Sequence, residues 1–506
     1  MIIAVIPCRN DDTAKQHIHQ AQATAGGIEL RIDYAKTLDL DAITTLRYEC
    51  HIPMIFTLRK KSQGGFYPQD ETQRLQDILA LCELNPDYID LEYDVSPLFI
   101  EELTSRYPHI KLIRSYHNFE ETPTDLMAIL QSMQHPCIHA YKLAMTAHST
   151  LDALRLMQFV NTHHAHYRLT GIGMGEAGES TRILSSVVGN AMHYASVDAS
   201  QTTAPGQLTL KELLTVYSFQ KLHRFSKIYA LLGDPVSSSV GHILHNQNMA
   251  HIHSDAVYIT LRVTRDELPE VIHRCRTLPF AGFSITMPLK ESIIPLLDAI
   301  DPLSQPIKAI NSVVLENGKW VGFNTDGIGA IQAITDRTDI ATKTVVILGA
   351  GGAARAIAYE ALRHHARVVV LSRTATRAAT LAKELGCDSG DLTDLSRYRG
   401  AVIINTLPIS AYSEQSTKEW LHPGVFSSAS IAMDIVYNPL HTPFLQMAKQ
   451  ANGTTIFGYE MYVNQGVMQI MRWFKPSTQQ LHEIKQNMRH YFLSSATDCD
   501  WFEEKP

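Results

Sequence analysis

The sequence lacks the features that mark membrane, secreted and nucleic-acid-binding proteins. Its 506 residues contain no apolar run long enough to cross a bilayer. The opening MIIAVIPCRNDD has neither a basic segment nor a cleavage site, so no signal peptide is expected. The formal net charge is −7, and no basic cluster suited to nucleic acid is present. These absences predict that neither a membrane nor a nucleic acid is a partner of this protein.

Cysteine is scarce, and histidine is not arranged for metal binding. The seven cysteines are scattered and never spaced as CxxC, which is typical of free thiols in a reducing cytoplasm. The 24 histidines include a cluster at His163, His164 and His166, but HExxH and paired Cys/His motifs are absent. We therefore predict a cytoplasmic protein without a metal site.

The composition, with 45% apolar and 19% charged residues, is that of an ordinary globular protein. A chain of this length is too long for one hydrophobic core, so several domains are expected. Neither the length nor the composition predicts an oligomeric state.

Short apolar strands alternate with helical segments over the first part of the chain. Segments between the strands, such as DETQRLQDILALCEL, carry apolar residues at helical spacing. Eight such repeats predict an α/β fold, a (β/α)8 TIM barrel with catalytic groups at the C-terminal strand ends. The predicted strands are residues 2–7, 28–34, 53–59, 88–93, 111–117, 139–145, 167–175 and 194–199.

The sixth of these strands, in IHAYKLAMTA, carries Lys142 between apolar neighbours. A lysine is rarely buried unless another group pairs with it or uses it. The alternation of a strand places Ala140 and Ala144 on the same face as Lys142, and these small side chains leave room around the amine. The pattern therefore indicates an amine that faces the barrel interior.

A dinucleotide-binding turn is predicted at VVILGAGGAARA, between a strand and a helix. Gly349, Gly351 and Ala354 have the G-x-G-x-x-A spacing of such turns. Gly349 allows the tight turn, Gly351 lets the backbone approach a pyrophosphate, and Ala354 allows the helix to pack closely on the strand. The loop also contributes the candidate cofactor ligands Ala350, Gly352 and Ala353.

The residues after the next strand distinguish NAD from NADP. An NAD site needs an acid there to bind the ribose 2′-hydroxyl. This sequence instead has Ser372, Arg373 and Thr374, with Arg377 one turn later. Guanidinium groups suit a 2′-phosphate, because they form paired, charge-assisted hydrogen bonds with it. NADP, as NADPH, is therefore the predicted cofactor.

The motifs of residues 227 to about 475 resemble those of shikimate dehydrogenase. They occur in family order as SITMPLKE, AINSVV, GFNTDGIG, IINTLP, MDIVYNPLHTP and GYEMYVNQG. The resemblance implies a substrate-binding domain followed by a Rossmann-like domain, and reduction of 3-dehydroshikimate to shikimate with NADPH. It also implies that Lys290 and Asp326 are catalytic. A lysine can protonate or stabilise the developing alkoxide, and an aspartate can hold the ammonium in place.

The same resemblance assigns binding roles to further residues. They are Ser239, Thr286, Asn311, Thr325, Tyr437 and Gln465 for the substrate, and Asn405, Thr406 and Gly458 for the cofactor. Gly241 is a departure, since the family usually has a second serine there for the substrate carboxylate. Relatives that prefer quinate are implied to have glycine at this place, so a quinate or mixed preference is an alternative. Thr286 argues for shikimate.

Residues 1 to about 210 resemble type I 3-dehydroquinate dehydratase. The motifs are ELRIDY, TLRKKSQGG, IRSYHNFEETP, YKLAM, GMGEAGESTR and TTAPGQ. By this resemblance Lys142 forms a Schiff base with the substrate ketone, since burial favours the neutral amine that attacks. His117 removes a C2 proton and afterwards protonates the departing C1 hydroxyl. The implied substrate-binding residues are Glu29, Arg31, Arg59, Arg182, Thr203 and Gln207.

The dehydratase half departs from its family at two positions. The acid that orients the histidine is Gln63 here, and the residue after the histidine is Asn118 where Asp is usual. A glutamine can hydrogen-bond an imidazole, but it cannot stabilise imidazolium by charge. We expect a slower dehydratase, or one with a shifted pH optimum, rather than a lost activity.

The product of the first reaction is the substrate of the second, as in the fused bifunctional enzymes that the whole chain resembles. The alternatives are a fused quinate dehydrogenase and a non-catalytic metabolite sensor, similar to certain fungal repressors, that would have lost its catalytic residues. The predicted divisions are a dehydratase barrel at 1–222, a substrate-binding domain at 223–336, a Rossmann-like NADP-binding domain at 337–475, and a C-terminal helix and tail at 476–506.

Overall fold

The computed structural model of the protein describes residues 1–413 and 417–495, which fold into two units. The first unit comprises Met1–Met249 with Asp255–Phe280. The second comprises Ala250–Ser254 with the described residues from Ala281 onward. No helix among the described residues is long and apolar enough to cross a membrane. The predicted end of the C-terminal tail, residues 496–506, lies outside the described residues.

Eight parallel strands form the predicted barrel at the start of the first unit. They are β1 (Ile2–Pro7), β2 (Gly27–Arg31), β3 (Met54–Thr57), β4 (Tyr88–Glu92), β5 (Lys111–Asn118), β6 (Ile138–Thr146), β7 (Leu169–Met174) and β8 (His193–Ser196). Each strand from β1 to β7 pairs with its sequence neighbours, and β8 returns to pair with β1. Between β7 and β8 the side-chain amide of Asn190 bonds the N–H and the C=O of Gly171. Each of the eight predicted strands is thus found in the structure, with bounds that differ by a few residues.

Helices surround the barrel, and most of them begin at a polar cap. They are α1 (Asp11–Gln22), α2 (Leu40–Glu49), α3 (Glu71–Cys82), α4 (Pro97–Arg106), α5 (Leu126–Ser132), α6 (Thr150–His163), α7 (Glu179–Ile183), α8 (Ser185–Val188) and α9 (Leu210–Thr215). A side-chain oxygen just before the helix accepts an N–H of the first turn, which satisfies a donor that the helix leaves open. These caps include Asn10, Asp39, Asp70, Ser96, Asp125 and Ser149.

The barrel interior follows the alternation of its strands. Ala140 and Ala144 of β6 belong to one buried apolar cluster, together with residues such as Ile3, Val5 and Ile113. Lys142 lies between the two alanines on the same strand and is buried as well. The prediction that its amine faces inward is therefore confirmed.

The first unit continues beyond the barrel. Its further elements are β9 (Lys227–Gly233), all but the last two residues of α10 (Gly241–His251), β10 (Ala256–Arg262) and α11 (Leu268–Cys275). β9 and β10 pair in parallel. Short 3-10 turns complete the unit at Ile32–Tyr34, Lys61–Gln63, Glu176–Gly178, Ala199–Gln201 and Phe219–Lys221.

The second unit opens with a small mixed sheet and one helix. Its elements are β11 (Phe280–Ile285), β12 (Ala299–Ile300), β13 (Ser312–Glu316), β14 (Lys319–Phe323) and α12 (Asp326–Thr335), with 3-10 turns at Ile294–Leu296 and Gln305–Ile307. β13 pairs antiparallel with both β11 and β14, and β12 runs parallel to β14. A short loop after β14 leads directly into α12.

A parallel sheet and its helices follow. They are β15 (Thr344–Leu348), α13 (Gly352–Arg363), β16 (Arg367–Leu371), α14 (Ala375–Leu385), β17 (Asp388–Gly390), β18 (Val402–Asn405), α15 (Thr417–Trp420), β19 (Ile431–Asp434), α16 (Pro443–Gln450) and β20 (Thr454–Ile456), with 3-10 turns at Leu392–Tyr398, Ile409–Ser413 and Pro423–Val425. The strand order is β17-β16-β15-β18-β19-β20. The chain thus reverses direction across the sheet beside β15. In open parallel sheets, ligands bind at this switch point.

Two long helices end the described chain: α17 (Gly458–Phe474) and α18 (Thr478–Ser495). α18 packs against α17, where Phe492 lies beside the rings of Tyr459 and Tyr462. The C-terminal helix is therefore part of the packed second unit rather than a detached extension.

Candidate active sites

The barrel brings all of its predicted site residues to one open cavity. The cavity lies at the C-terminal ends of the strands, where TIM-barrel enzymes carry their active sites. Gln63, Gly64, Phe119 and Tyr194 complete much of its wall. The eight predicted residues that line it are Glu29, Arg31, Arg59, His117, Lys142, Arg182, Thr203 and Gln207.

The amine of Lys142 is held between two buried carboxylates. Its Nζ lies 2.6 Å from Oδ2 of Asp90 and 3.1 Å from Oε1 of Glu29. The hydroxyl of Thr57 donates to the same Glu29 oxygen at 2.9 Å. The ring of Tyr194 lies below the amine, with its centroid 4.6 Å from Nζ. The amine is thus fixed in place before any substrate arrives.

Asp90 is a site residue that the sequence motifs did not identify. Its Oδ1 accepts hydrogen bonds from Nη2 of Arg59 at 2.8 Å and from the hydroxyl of Ser115 at 2.6 Å. Burial alone would raise the pKa of Asp90, but the charges of Arg59 and Lys142 lower it below its ordinary value. Asp90 is therefore a carboxylate that connects Arg59 to Lys142. The feature of the sequence that could have drawn attention to Asp90 is the strand YIDLEY, which carries two acidic residues.

His117 is half-buried at the edge of the same cavity. Burial, followed by the charges of Arg59 and Lys142, holds the pKa of His117 well below its ordinary value. Its Nδ1 has no hydrogen-bond partner within the described residues. The ring of Phe119 stacks nearly parallel to it, at an interplanar angle of 11°. The imidazole is thus neutral and available to a substrate.

The two departures around His117 have structural roles. The side-chain oxygen of Gln63 accepts the backbone N–H of His117 at 3.0 Å. The hydrogen bond of Gln63 to His117 is thus made to the backbone and not to the imidazole ring. Asn118 accepts the N–H groups of Glu120 and Glu121, which stabilises the turn after β5. The amide oxygen of Asn118 accepts these two hydrogen bonds, as the carboxylate of an aspartate could.

Arg182 is a cation of the cavity that forms no ion pair with a carboxylate among the described residues. It is buried on α7, and burial lowers its pKa to about 10. Its Nε has no hydrogen-bond partner within the described part of the chain. Arg31, in contrast, is paired with Asp33 through two hydrogen bonds of 2.9 and 2.8 Å. Arg182 is therefore the guanidinium that suits an incoming carboxylate.

Thr203 and Gln207 close the cavity from the segment after β8. The N–H and the hydroxyl of Thr203 both donate to the side-chain oxygen of Gln207, at 2.8 and 3.2 Å. The amide nitrogen of Gln207 remains a donor that can face a ligand.

A second cluster of predicted residues forms in the second unit. Nζ of Lys290 lies 2.5 Å from Oδ2 of Asp326, the first residue of α12. Nδ2 of Asn311 donates to Oδ1 of Asp326 at 2.7 Å and to the hydroxyl oxygen of Thr325 at 2.9 Å. The Thr325 hydroxyl lies 3.4 Å from the side-chain oxygen of Gln465. The structure thus brings five predicted residues together.

The other predicted substrate-binding residues lie in three places. Thr286 is half-buried directly after β11. Tyr437 follows β19, and its ring packs on Tyr462 of α17 at a centroid distance of 4.8 Å. Ser239 lies in the first unit, before α10, where its hydroxyl oxygen accepts the N–H of Gly241 at 3.1 Å.

The glycine-rich turn has the shape that a dinucleotide needs. Gly349 has φ of +111°, a conformation that favours glycine. A β-carbon at Gly351 would meet no atom of the described residues within 4 Å, so protein packing does not explain that glycine. A β-carbon at Gly352 would lie 3.3 Å from the Lys290 side chain. The open helix N-terminus at α13 therefore fits a pyrophosphate, close to the predicted catalytic lysine.

The remaining cofactor candidates lie in this turn, after the strands β16 and β18, and at the start of α17. Ala350 and Ala353 are half-buried within it, and Arg373, Thr374 and Arg377 are exposed after β16. Ser372 is buried, and its hydroxyl oxygen accepts the N–H of Thr374. Thr406 donates its hydroxyl to the C=O of Leu348, at the end of β15. Gly458 begins α17, against the backbone of Val436. The exposed arginines fit the predicted 2′-phosphate contact.

Asn405 is completely buried, and its side chain is used within the protein. Its Nδ2 donates to Oδ1 of Asp434 at 3.0 Å and to the hydroxyl of Tyr412 at 2.6 Å. Its Oδ1 accepts the N–H of Leu407 at 3.2 Å. Any influence of Asn405 on a cofactor would therefore act through the loop that it holds.

Three family profiles match the chain in the order of its folded parts. They are "Type I 3-dehydroquinase" at residues 2–224, "Shikimate dehydrogenase substrate binding domain" at 231–313 and "Shikimate / quinate 5-dehydrogenase" at 331–424. The barrel with its buried lysine and the parallel sheet with its glycine-rich turn correspond to these profiles. The fold and the sites thus define a fused lyase and oxidoreductase.

Individual proteins match over most of the chain. A "Bifunctional 3-dehydroquinate dehydratase/shikimate dehydrogenase, chloroplastic" of Arabidopsis thaliana is 35% identical over 482 residues, which is 90% of this chain and 78% of that protein. The "Shikimate biosynthesis protein AroDE" of Chlamydia pneumoniae is 32% identical over 477 residues, which is 94% of this chain and 95% of that protein. A crystal structure of a shikimate dehydrogenase in complex with NADP+ matches with a TM-score of 0.50 and 32% identity, covering 54% of this chain and 97% of that one.

The chain belongs to the family of bifunctional 3-dehydroquinate dehydratase/shikimate dehydrogenases. The predicted fusion, its α/β fold class and its two enzyme activities in the shikimate pathway are confirmed. Neither the quinate alternative nor the metabolite-sensor alternative is favoured by these matches.

Proposed function

We propose that Lys142 captures the ketone of 3-dehydroquinate as a Schiff base. The observation that carries this proposal is the buried amine of Lys142, held 2.6 and 3.1 Å from two carboxylates in a cavity that His117 also lines. The amine must lose a proton before it attacks the carbonyl carbon, and the neighbouring carboxylates are acceptors within reach. Water leaves, and the resulting iminium withdraws electrons from the adjacent carbon.

His117 is the base that removes the C2 proton. Its lowered pKa favours the neutral imidazole, and its Nδ1, which has no hydrogen-bond partner among the described residues, can receive the proton. The same proton then goes to the C1 hydroxyl, which departs as water. Arg182 would hold the substrate carboxylate, because it is a buried cation of the cavity that forms no ion pair among the described residues. Hydrolysis of the iminium releases 3-dehydroshikimate and restores the amine.

Borohydride reduction tests the Schiff base directly. When the full chain is mixed with 3-dehydroquinate and borohydride, we expect a ligand to be attached covalently to Lys142, because reduction makes the carbon–nitrogen bond permanent. Peptide mass spectrometry locates the modification. The matched control is Lys60, an amine at the C-terminal strand ends that is paired with Asp94 and should stay unmodified. Modification of another residue, or none in an active enzyme, would refute the assignment.

The pH dependence of dehydration should respond to a carboxylate at position 63. A base works only when deprotonated, so the acid limb of kcat/KM follows the pKa of His117. In Gln63→Glu, the new charge would stabilise imidazolium and move that limb upward by about one pH unit or more. Ser62→Glu, an exposed neighbour in the same turn, is the control and should move it little. Identical profiles for wild type and Gln63→Glu would contradict the role of His117.

The second half uses NADPH, the predicted cofactor, to reduce 3-dehydroshikimate to shikimate. NADPH supplies a hydride to the ring ketone when bound. Lys290 would donate the proton to the resulting oxygen, held in place by Asp326 at 2.5 Å. Asn311, Thr325 and Gln465 would bind the hydroxyls, since they form one hydrogen-bonded group around Asp326.

Further substrate and cofactor contacts complete the proposal. Thr286, Tyr437 and Ser239 are proposed for the substrate hydroxyls and carboxylate. For the cofactor, the turn from Gly349 to Ala353 would bind the pyrophosphate, and Arg373 with Arg377 the 2′-phosphate. The domain divisions at 222, 336 and 475 remain our proposal, and profile matches that end at 224 and begin at 331 support two of them. We also propose a cytoplasmic location, which the free state of the six described cysteines supports.

A further inference from the structure

Two buried charged residues lie next to the dehydratase cavity without lining it. Arg74 projects from α3, Glu92 is the last residue of β4, and both are 0% exposed. Nη1 of Arg74 donates to Oε2 of Glu92 at 2.8 Å. Apolar residues in place of a buried ion pair often give equal or better stability, so stability alone does not account for this pair.

The pair holds the backbone on both sides of Arg59. Nη1 of Arg74 also donates to the C=O of Leu58 at 3.0 Å, and Oε1 of Glu92 accepts the N–H of Lys60 at 3.0 Å. The same Glu92 oxygen lies 3.7 Å from Nη1 of Arg59. Arg59 is therefore fixed through the peptide groups before and after it and through its charged end.

Arg59 is in turn connected to the reactive lysine through Asp90. Its Nη2 bonds Oδ1 of Asp90 at 2.8 Å, and Oδ2 of Asp90 lies 2.6 Å from Nζ of Lys142. The turn after Lys60 also carries Gln63, which bonds the N–H of His117 at 3.0 Å. A shift of the backbone at Arg59 would thus reach both groups of the proposed chemistry.

We propose that Arg74 and Glu92 are positioning residues for the dehydratase reaction. They place Arg59, and through Asp90 they place the amine of Lys142, without touching the substrate. The inference rests on the proposed role of Lys142 as the Schiff-base lysine.

The variant Glu92→Gln tests the proposal. Glutamine keeps the size and can still accept the Lys60 N–H, but it removes the charge that faces Arg74 and Arg59. We expect kcat/KM for 3-dehydroquinate to fall at least about tenfold, within the roughly hundredfold that a misplacement of about 1 Å can cost. Part of the decrease in kcat/KM should come from a higher KM, because Arg59 is a proposed substrate ligand. NADPH-dependent reduction of 3-dehydroshikimate by the same chain should stay unchanged.

Glu71→Gln is the matched control. Glu71 binds the other side of the same guanidinium at 2.6 and 2.9 Å, but its side chain is 45% exposed and does not approach Arg59. We expect its dehydratase kinetics to equal those of the wild type.

A second variant separates positioning from the cost of an unpaired buried charge. In the double variant Arg74→Met with Glu92→Met, both charges are gone, a change that proteins often tolerate. We expect a folded barrel, judged by thermal unfolding, in which the loss of kcat/KM and the higher KM persist.

Three results would overturn the inference. The first is wild-type kcat/KM in Glu92→Gln. The second is recovery of wild-type kinetics in the double methionine variant, since only the unpaired charge would then matter. The third is a lower kcat with unchanged KM in both variants, which is the result of a smaller folded fraction. Borohydride labelling of the wild type tests Lys142 independently, so failure of the Schiff base is distinguishable from failure of the positioning role.

Discussion

Replacing Lys142 with methionine should abolish dehydration of 3-dehydroquinate and leave the reduction of 3-dehydroshikimate unchanged. Methionine fills similar space but has no amine, so no imine can form. We expect kcat for dehydration to fall by about 10⁴-fold or more, the range observed when an enzyme loses its nucleophile. The ultraviolet absorbance of 3-dehydroshikimate measures the first reaction, and NADPH consumption from added 3-dehydroshikimate measures the second.

The effect of losing the positive charge of Lys142 must be distinguished from the effect of losing its nucleophilic amine, because the carboxylates of Asp90 and Glu29 both face that charge. Lys142→Arg provides this control, since a guanidinium stays protonated and cannot attack a ketone. It should be as inactive as Lys142→Met while keeping a cation beside the two carboxylates. A methionine variant that dehydrates its substrate at the wild-type rate would end the Schiff-base proposal.

The second large effect is expected at Lys290 and Asp326. Lys290→Met removes the proton donor that lies 2.5 Å from Asp326, and kcat for reduction of 3-dehydroshikimate should fall by about 10³-fold. Asp326→Asn keeps the shape but loses the charge that orients the ammonium, so a smaller fall of about 10²-fold is expected. The rate of NADPH oxidation with 3-dehydroshikimate measures both.

Lys308 is the matched control for this pair. It lies in the same unit, is exposed, and is paired with Glu384 instead of a candidate site residue. Lys308→Met should reduce 3-dehydroshikimate at close to the wild-type rate. In every one of these variants, dehydration of 3-dehydroquinate by the barrel should be unaffected. Near-normal reduction by Lys290→Met would remove the lysine from the proposed mechanism.

The inward direction of Lys142 could be predicted because strand alternation is a local property. Ala140, Lys142 and Ala144 share a face whatever the rest of the chain does. The same holds for the turn at Gly349, whose φ of +111° follows from a short motif between a strand and a helix. Each of these features depends on a dozen residues or fewer.

Asp90 could not be assigned in the same way. Its strand, YIDLEY, carries two acids, and nothing local to that strand says what they face. The function of Asp90 comes from Arg59, Ser115 and Lys142, which three other chain segments supply. Only the side-by-side pairing of β3, β4, β5 and β6 places these groups within hydrogen-bonding distance.

Gln63 shows the same limit of sequence-based prediction for a single hydrogen bond. The motif placed it beside His117, and the structure agrees, but the oxygen bonds the backbone N–H and not the ring. Asn405 is similar: its motif lies near the glycine-rich turn, yet its side chain is used by Asp434 and Tyr412. Which atom of a polar side chain is used depends on the competing donors that the fold supplies.

The amino-acid order alone was enough for the succession of strands and helices, for the two enzyme halves and for the choice of NADP, because periodicity and short motifs act over neighbouring residues. The barrel and the packed second unit set the partners of the buried charges, such as Asp90 with Lys142 and Glu92 with Arg74. The reason is physical: a charge buried away from water needs a partner within a few ångströms, and those partners come from distant parts of the chain.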